Sequence, residues 1–256
     1  MKVLIETKKL TKTFGGLVAV NEVDFTIEKG KINAIIGPNG AGKSTFFNLL
    51  SGSYSPTSGR IFYKGKDITK LPPNKIARLG VARTFQTTNL FEQSTVLDNV
   101  IVGHRLRTES NLLDAVLRTK RFKREEEKCR DKAMEVLDFV GLTHVRDQLA
   151  GSITQEEKKR VAFALALATD PEIVFLDEPT AGINPGETEG LADLMEKMVE
   201  QQITVCLIEH KMKMIMALAD KIMVLNYGEK IAEGTAEEIM NNQAVIEAYL
   251  GGDASA

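Results

Sequence analysis

The chain has 256 residues, 43% of them apolar and 27% charged, with a formal net charge of −2. This is an ordinary globular composition, enough for one large domain or two small ones. It gives no global field to recruit nucleic acid and no apolar run long enough to span a membrane.

The start, "MKVLIETKKL", has no long apolar stretch followed by a small-residue cleavage site, so no signal peptide is expected. Residues 1–36 then run in short apolar segments, "VLIETKKL", "AVNEVDFTI" and "INAII", punctuated by Gly15, Gly16 and Gly30, which predicts strands joined by hairpin-type turns. "GPNGAGKSTFFNLLSG" turns a buried strand into a helix. "GRIFYKGKDI" predicts a short hairpin, and "LPPNKIARLG" a helix entered through Pro72 and Pro73. From about Asn89 to Ala150 the pattern becomes helical, in "VLDNVIVGHRL", "NLLDAVL" and "KAMEVLDFVGL". The charged run "RTKRFKREEEKCRDK" reads as a solvated helix face or linker. Afterwards the strand-length runs "IVFLDEP", "ITVCLIEH" and "KIMVLNYG" alternate with helical stretches, which argues for a parallel sheet covered by helices. The methionines of "KMKMIMALADKIM" read as a packed helix face. Cys129 and Cys206 match no metal spacing and are expected to be reduced thiols in a cytosolic compartment. The tail "GGDASA" is expected to fray.

Two motifs carry chemistry. "GPNGAGKST", residues Gly37, Pro38, Asn39, Gly40, Ala41, Gly42, Lys43, Ser44 and Thr45, fits the phosphate-binding P-loop pattern. Its glycines let backbone N–H groups surround a phosphate and the next helix presents its positive end. Lys43 would neutralise phosphate oxygens and the Ser44 hydroxyl would ligate Mg²⁺. "IVFLDE" supplies the acidic complement: Asp177 at the end of an apolar strand to orient Mg²⁺ or its waters, and Glu178 to act as general base on an attacking water.

With these motifs and the wording of "FGGLVAVNEV", "ARTFQTTNLF", "LDEPTAGINPGET" and "LIEHKMKMIMALADKIMVLNYG", the chain resembles an ATP-binding subunit of the ABC transporter family nearly end to end. The likeness is strongest to the subfamily serving branched-chain amino-acid importers. The resemblance implies an α/β fold: a P-loop core (ABC ATPase) with an N-terminal antiparallel β-subdomain and an inserted α-helical subdomain. In that reading residues 1–256 form one domain, 1–86 and 161–256 its core, and 87–160 the helical insertion. It implies ATP and Mg²⁺ as cofactors, Phe14 stacked on adenine, and Gln86 touching Mg²⁺ and the attacking water. His210 would contact the γ-phosphate and position Glu178, and Asn184 would lie in a loop crossing to a second subunit. Expected partners are that second ATPase subunit, two membrane permease subunits and, indirectly, an external substrate-binding protein, with the chain at the cytoplasmic face of the membrane. His104 and His144 match nothing. The alternatives are a low-turnover regulatory ATP-binding protein, a transporter ATPase for urea, short amides or lipopolysaccharide, and a non-transport ATPase acting on DNA or ribosomes.

One stretch departs from the family. Counting back from Asp177 places the signature motif, usually Leu-Ser-Gly-Gly-Gln, on Ile153-Thr154-Gln155-Glu156-Glu157, while Leu165 stands where the family usually has arginine. In the family this segment meets ATP held by the opposite subunit, and Thr154 can supply the serine hydroxyl. Glu156 replaces a glycine. A carboxylate about 4 Å from a phosphate charge costs roughly 4 kcal/mol at an effective dielectric near 20. Two readings stand open. In one, the segment is a good helix cap and a spoiled phosphate contact, which predicts pairing with a related subunit carrying a fuller signature. In the other, Glu156 turns aside, the segment works, and a homodimer suffices.

Overall fold

The computed structural model describes residues 2–84 and 90–250. The chain opens with strands β1 (Val3–Phe14) and β2 (Leu17–Glu28), an antiparallel pair, then β3 (Ile32–Ile36) and helix α1 (Lys43–Leu50). Strands β4 (Ser58–Tyr63) and β5 (Lys66–Asp67) form the expected hairpin. Its two turn residues, Lys64 and Gly65, both take positive φ, the backbone a tight hairpin requires. Helix α2 (Pro73–Arg78) starts with Pro73 at its first position, where the missing N–H costs nothing. After β6 (Val81–Arg83), the described chain is helical: α3 (Val96–His104), α4 (Leu112–Val116), α5 (Lys120–Phe139) and α6 (Gln155–Leu167). Helix α6 runs through position 160/161, at which the sequence reading divides core from insertion. The remainder alternates: β7 (Ile173–Asp177), α7 (Pro185–Glu200), β8 (Thr204–Ile208), α8 (Met212–Leu218), β9 (Lys221–Asn226), β10 (Glu229–Gly234), α9 (Ala236–Met240) and α10 (Gln243–Leu250).

These strands make two sheets. One is antiparallel, in the order β2-β1-β4-β5. The other, in the order β10-β9-β3-β8-β7-β6, is parallel except for its β9–β10 edge. Every residue of β3, β7 and β8 is buried, as strands covered on both faces must be. Alternation along these strands and β9 then assigns their side chains to two cores. Ala34, Val174, Leu176, Val205, Leu207 and Val224 face the helices. Ile35, Ile173, Phe175, Cys206, Ile208 and Leu225 face α1 and the antiparallel sheet. Phe46 and Phe47 seat α1 in the second core, edge-on to Phe25 and Phe175 with ring centroids 6.2 and 5.1 Å apart. Burying each contributes about 1.5–3 kcal/mol.

Both thiols are buried and free, and burial raises the pKa of each. Met212, Met214 and Met216 pack against the helical core, as the spacing predicts. Among the described residues no helix is long and apolar enough to cross a membrane.

Candidate functional site

The site lies at the carboxyl ends of the parallel strands, where β3, β7 and β8 hand the chain to loops. The loop after β3 needs glycine for a steric reason. Gly42 has φ +97°, and a Cβ there would stand 2.2 Å from the Ala19 carbonyl oxygen. It begins α1 with no side-chain cap and no acidic residue in the first turn, so the helix presents bare N–H groups and its positive end. Lys43 Nζ donates to the carbonyls of Gly37 at 2.7 Å and Pro38 at 2.9 Å, and an ammonium has a third donor left to offer. Burial holds the Lys43 pKa below the ordinary lysine value, against the opposing pull of Glu178 and Asp177.

Asp177 ends β7 almost wholly buried. Its Oδ2 accepts from Arg83 Nη2 at 3.0 Å, and Arg83 Nη1 also donates to Asn48 Oδ1 at 2.7 Å and Ser51 Oγ at 2.9 Å, at the end of α1. The other carboxylate oxygen, Oδ1, is buried without a hydrogen-bond partner among the described residues. An orphaned carboxylate oxygen beside the phosphate loop fits one protein ligand of a hard divalent cation. No group of three or more His, Cys, Asp or Glu side chains that could cage a metal occurs among the described residues, so such an ion would take its remaining oxygens from Ser44, phosphate and water.

Glu178 follows with φ +48°, an uncommon conformation for a residue with a side chain, held by its N–H bonding to the Ile208 carbonyl at 2.9 Å. Its Oε1 lies 3.1 Å from His210 Nε2. Glu209 sets this geometry from behind. Buried, it accepts from the Thr180 hydroxyl at 2.6 Å, the Thr180 N–H at 3.2 Å and the His210 N–H at 2.9 Å, joining the loops after β7 and β8. Lys159, on α6, lies within electrostatic reach. Burial lowers its pKa, and the Glu209 and Glu178 carboxylates oppose that lowering.

A cleft of about 530 Å³ gathers Phe14, Asn39, Gly40, Ala41, Gly42, Lys43, Ser44, Thr45, Glu178 and His210. Sequence reasoning missed Leu17, Val18 and Tyr227, which share its wall. Their signal is faint, since only the fold brings the β1–β2 and β9–β10 turns together. Phe14 meets Tyr54 edge-on at 5.5 Å between centroids, with Lys12 Nζ 4.9 Å from the Phe14 ring centroid. Gln86 lies outside the described residues. Asn184, exposed at the start of α7, and Thr154, at the start of α6, stand apart from this cleft.

Helix α6 is capped by Thr154. Thr154 Oγ1 accepts from the Glu157 N–H at 3.2 Å and Glu157 Oε2 accepts from the Thr154 N–H at 2.7 Å, a reciprocal capping box. Ser152 instead donates to the Leu149 carbonyl. Glu156 reaches along the helix to Arg160, one turn further on. Leu165 lines a groove of about 360 Å³ with Ile76, Ala77, Val81, Thr84 and Ala162, between α2, β6 and α6.

Comparison with known proteins finds likenesses along nearly the whole chain. A family model described as ABC transporter fits residues 20–181, and one described as branched-chain amino acid ATP-binding cassette transporter fits residues 229–255. A high-affinity branched-chain amino acid transport ATP-binding protein of Pseudomonas aeruginosa is 43% identical over 249 residues, 97% of this chain and 98% of the relative. One of the same description from Escherichia coli K12 is 41% identical over 249 residues, with 97% and 98% covered. Among solved structures, a nucleotide-free ATP-binding cassette from an ABC transporter superposes with a TM-score of 0.85 at 33% identity, covering 96% of this chain and 98% of that one. A cassette in its ADP conformation superposes with 0.86 at 32% identity, covering 98% and 100%.

Proposed function

The chain belongs to the ABC transporter family as one of its ATP-binding, ATP-hydrolysing subunits, and we propose that it powers import of branched-chain or related amino acids. The cargo class is supported by relatives that match along nearly the whole chain and are branched-chain amino acid transport ATP-binding proteins. The observation that carries the chemistry is the cleft in which Lys43, Ser44, Glu178 and His210 meet.

In this reading the loop from Gly37 to Thr45 wraps the phosphates with backbone N–H groups, while Lys43 turns its remaining donor onto a phosphate oxygen. Adenine lies against Phe14 on the wall that Leu17, Val18 and Tyr227 complete. Glu178 accepts the proton of a water aimed in line at the γ-phosphate, and His210 keeps that carboxylate oriented. Glu209 fixes both loops, so a side chain in an uncommon backbone conformation still keeps one position. Ser44 and Asp177, joined by resemblance by Gln86, are the residues that would hold Mg²⁺. When bound, the ion would supply charge neutralisation at the phosphate oxygens.

Membrane permease subunits are the partners of such an ATPase. We assign their docking to the groove lined by Leu165, Ile76 and Thr84, which adjoins the chain leading to Gln86, with the subunit peripheral at the cytoplasmic face and an external binding protein delivering cargo. Motion would pass through residues 87–160 acting as a helical unit. A second ATPase subunit supplies the opposite face of each ATP. A related subunit with a neutral signature meets that need directly, and a second copy of this chain meets it if Glu156 is kept off the phosphate.

The test is steady-state ATP hydrolysis by the purified chain and its Glu178→Gln variant. Turnover should fall on the order of 10²–10⁴-fold, the range for a lost general base, with ATP binding retained. An unchanged rate would remove Glu178 from the reaction.

A further inference from the structure

Arg160, the partner of Glu156, is in contact with three helices. Arg160 Nε is hydrogen-bonded to Glu156 Oε1, one turn back along α6. Its Nη1 donates to the Val140 carbonyl at 3.0 Å. Val140 closes α5, and the negative end of a helix favours a cation. Its Nη2 faces α7 at Gly190, where a Cβ would stand only 2.6 Å from that nitrogen. The guanidinium therefore sits between α5, α6 and α7, and a side chain at 190 would push it from this position. Both side chains of the pair are mostly buried, 22% exposed for Arg160 and 17% for Glu156.

The second acidic residue is also occupied. Glu157 accepts from the Thr154 N–H at 2.7 Å and lies 3.4 Å from His144 Nε2. The N–H groups of Gln155 and Glu156, at the first two helical positions, have no carbonyl one turn back inside the helix to receive them. The acidic wording of this stretch thus leaves these two donors in place, with the Glu156 carboxylate drawn to the flank by Arg160 and the Glu157 carboxylate held in the cap by the Thr154 N–H.

We propose that Arg160 is a positioning residue. Clamped between the end of α5 and Gly190, it holds the Glu156 carboxylate alongside α6 and leaves the helix start open to the phosphate of an ATP held by a second subunit. This rests on the reading of Ile153 to Glu157 as the segment that faces the opposite nucleotide. A paired carboxylate and guanidinium present a dipole to an incoming phosphate, whereas a freed carboxylate presents a full like charge. The clamp also ties α6 to α7, whose first turn follows the loop carrying Asn184, so two segments expected at the subunit interface share one anchor.

The experiment uses the full chain in two backgrounds. In Glu178→Gln, ATP-dependent association is followed by sedimentation. In the unmodified chain, steady-state hydrolysis is followed, with ATP binding at low protein concentration measured alongside. The parent should associate on adding Mg²⁺-ATP. Arg160→Ala should weaken association and lower turnover at least tenfold while ATP affinity at low protein concentration stays unchanged. Gly190→Ala, which pushes on the guanidinium from α7, should reproduce part of that loss. Adding Glu156→Gly to either variant should restore association, which a merely structural arginine would not allow. The proposal is overturned if Arg160→Ala associates like the parent or if Glu156→Gly fails to rescue it. It is overturned too if the parent binds ATP without associating, because the helix start is then closed despite the pair. A parent that binds no ATP at all would instead sink the reading of the cleft itself.

Discussion

Helices α1 and α6 both begin where a phosphate is expected, and they begin in opposite ways. Helix α1 starts at Gly42 with no side-chain cap and no acidic residue in its first turn. Helix α6 starts at Thr154 with a complete capping box and two glutamates in its first turn. A capping box worth about 1 kcal/mol satisfies two donors from within, here those of Thr154 and Glu157, and makes a helix start less dependent on outside support. Leaving them unsatisfied makes it a ligand site, and stability must come from elsewhere. At α1 it comes from Phe46 and Phe47 in the core and from Arg83, which grips the far end of the helix through Asn48 and Ser51. At α6 it comes from the cap itself, and the ligand question moves to where the carboxylates point.

Arg83→Met tests the α1 side most severely. It strips the cation from an Asp177 side chain only 5% exposed and unties Asn48 and Ser51. Breaking a buried pair by removing one partner costs about 3–5 kcal/mol, readable as a fall in the chemical-denaturation midpoint. A loss under about 1 kcal/mol would mean that aromatic packing alone secures the open start.

Gly42→Ala sharpens the same point with a smaller effect. Its φ of +97° and the Ala19 carbonyl 2.2 Å from the new Cβ leave no relaxed geometry. Strained backbone of this kind costs about 1–3 kcal/mol, and the loop must also move away from its phosphate-binding shape. Stability and nucleotide affinity should therefore fall together. Stability falling alone would show that the N–H cradle tolerates displacement of its last residue.

What sequence could and could not reveal follows the same division. The P-loop was legible because its requirements are on the backbone, and a backbone requirement appears as glycine at fixed spacing. The parallel core was legible because β3, β7 and β8 are short, mostly apolar runs, each with one polar residue. Arg83 was invisible as a partner of Asp177, 94 positions away, since nothing local demands it. Glu209 reads as part of a strand end until β7 and β8 lie side by side and bring Thr180 to it. The acidic α6 start showed its cap but not the direction of Glu156. That direction depends on Val140 and Gly190, which belong to two other helices.

The smallest effect tests the cap itself. Thr154→Ala removes the oxygen that receives the Glu157 N–H, and Glu157→Gln removes the charge that receives the Thr154 N–H. Each should cost about 1 kcal/mol at neutral pH. They should part company in acid. Burial works to raise the Glu157 pKa, but the Thr154 hydrogen bonds and His144 outweigh it and hold the carboxyl below the ordinary glutamate value. A carboxyl depressed on folding stabilises fully above its unfolded pKa, and that stabilisation is lost as pH falls through the lower folded value. The gap between Glu157→Gln and the parent should therefore close as pH drops below the ordinary glutamate range, while the gap for Thr154→Ala, which lacks a neutral acceptor, should persist in part. Thermal unfolding of the three proteins from neutral pH to below that range measures both. If the Glu157→Gln gap stayed constant, the cap would owe nothing to charge. The α6 start would then differ from the α1 start in hydrogen bonding alone.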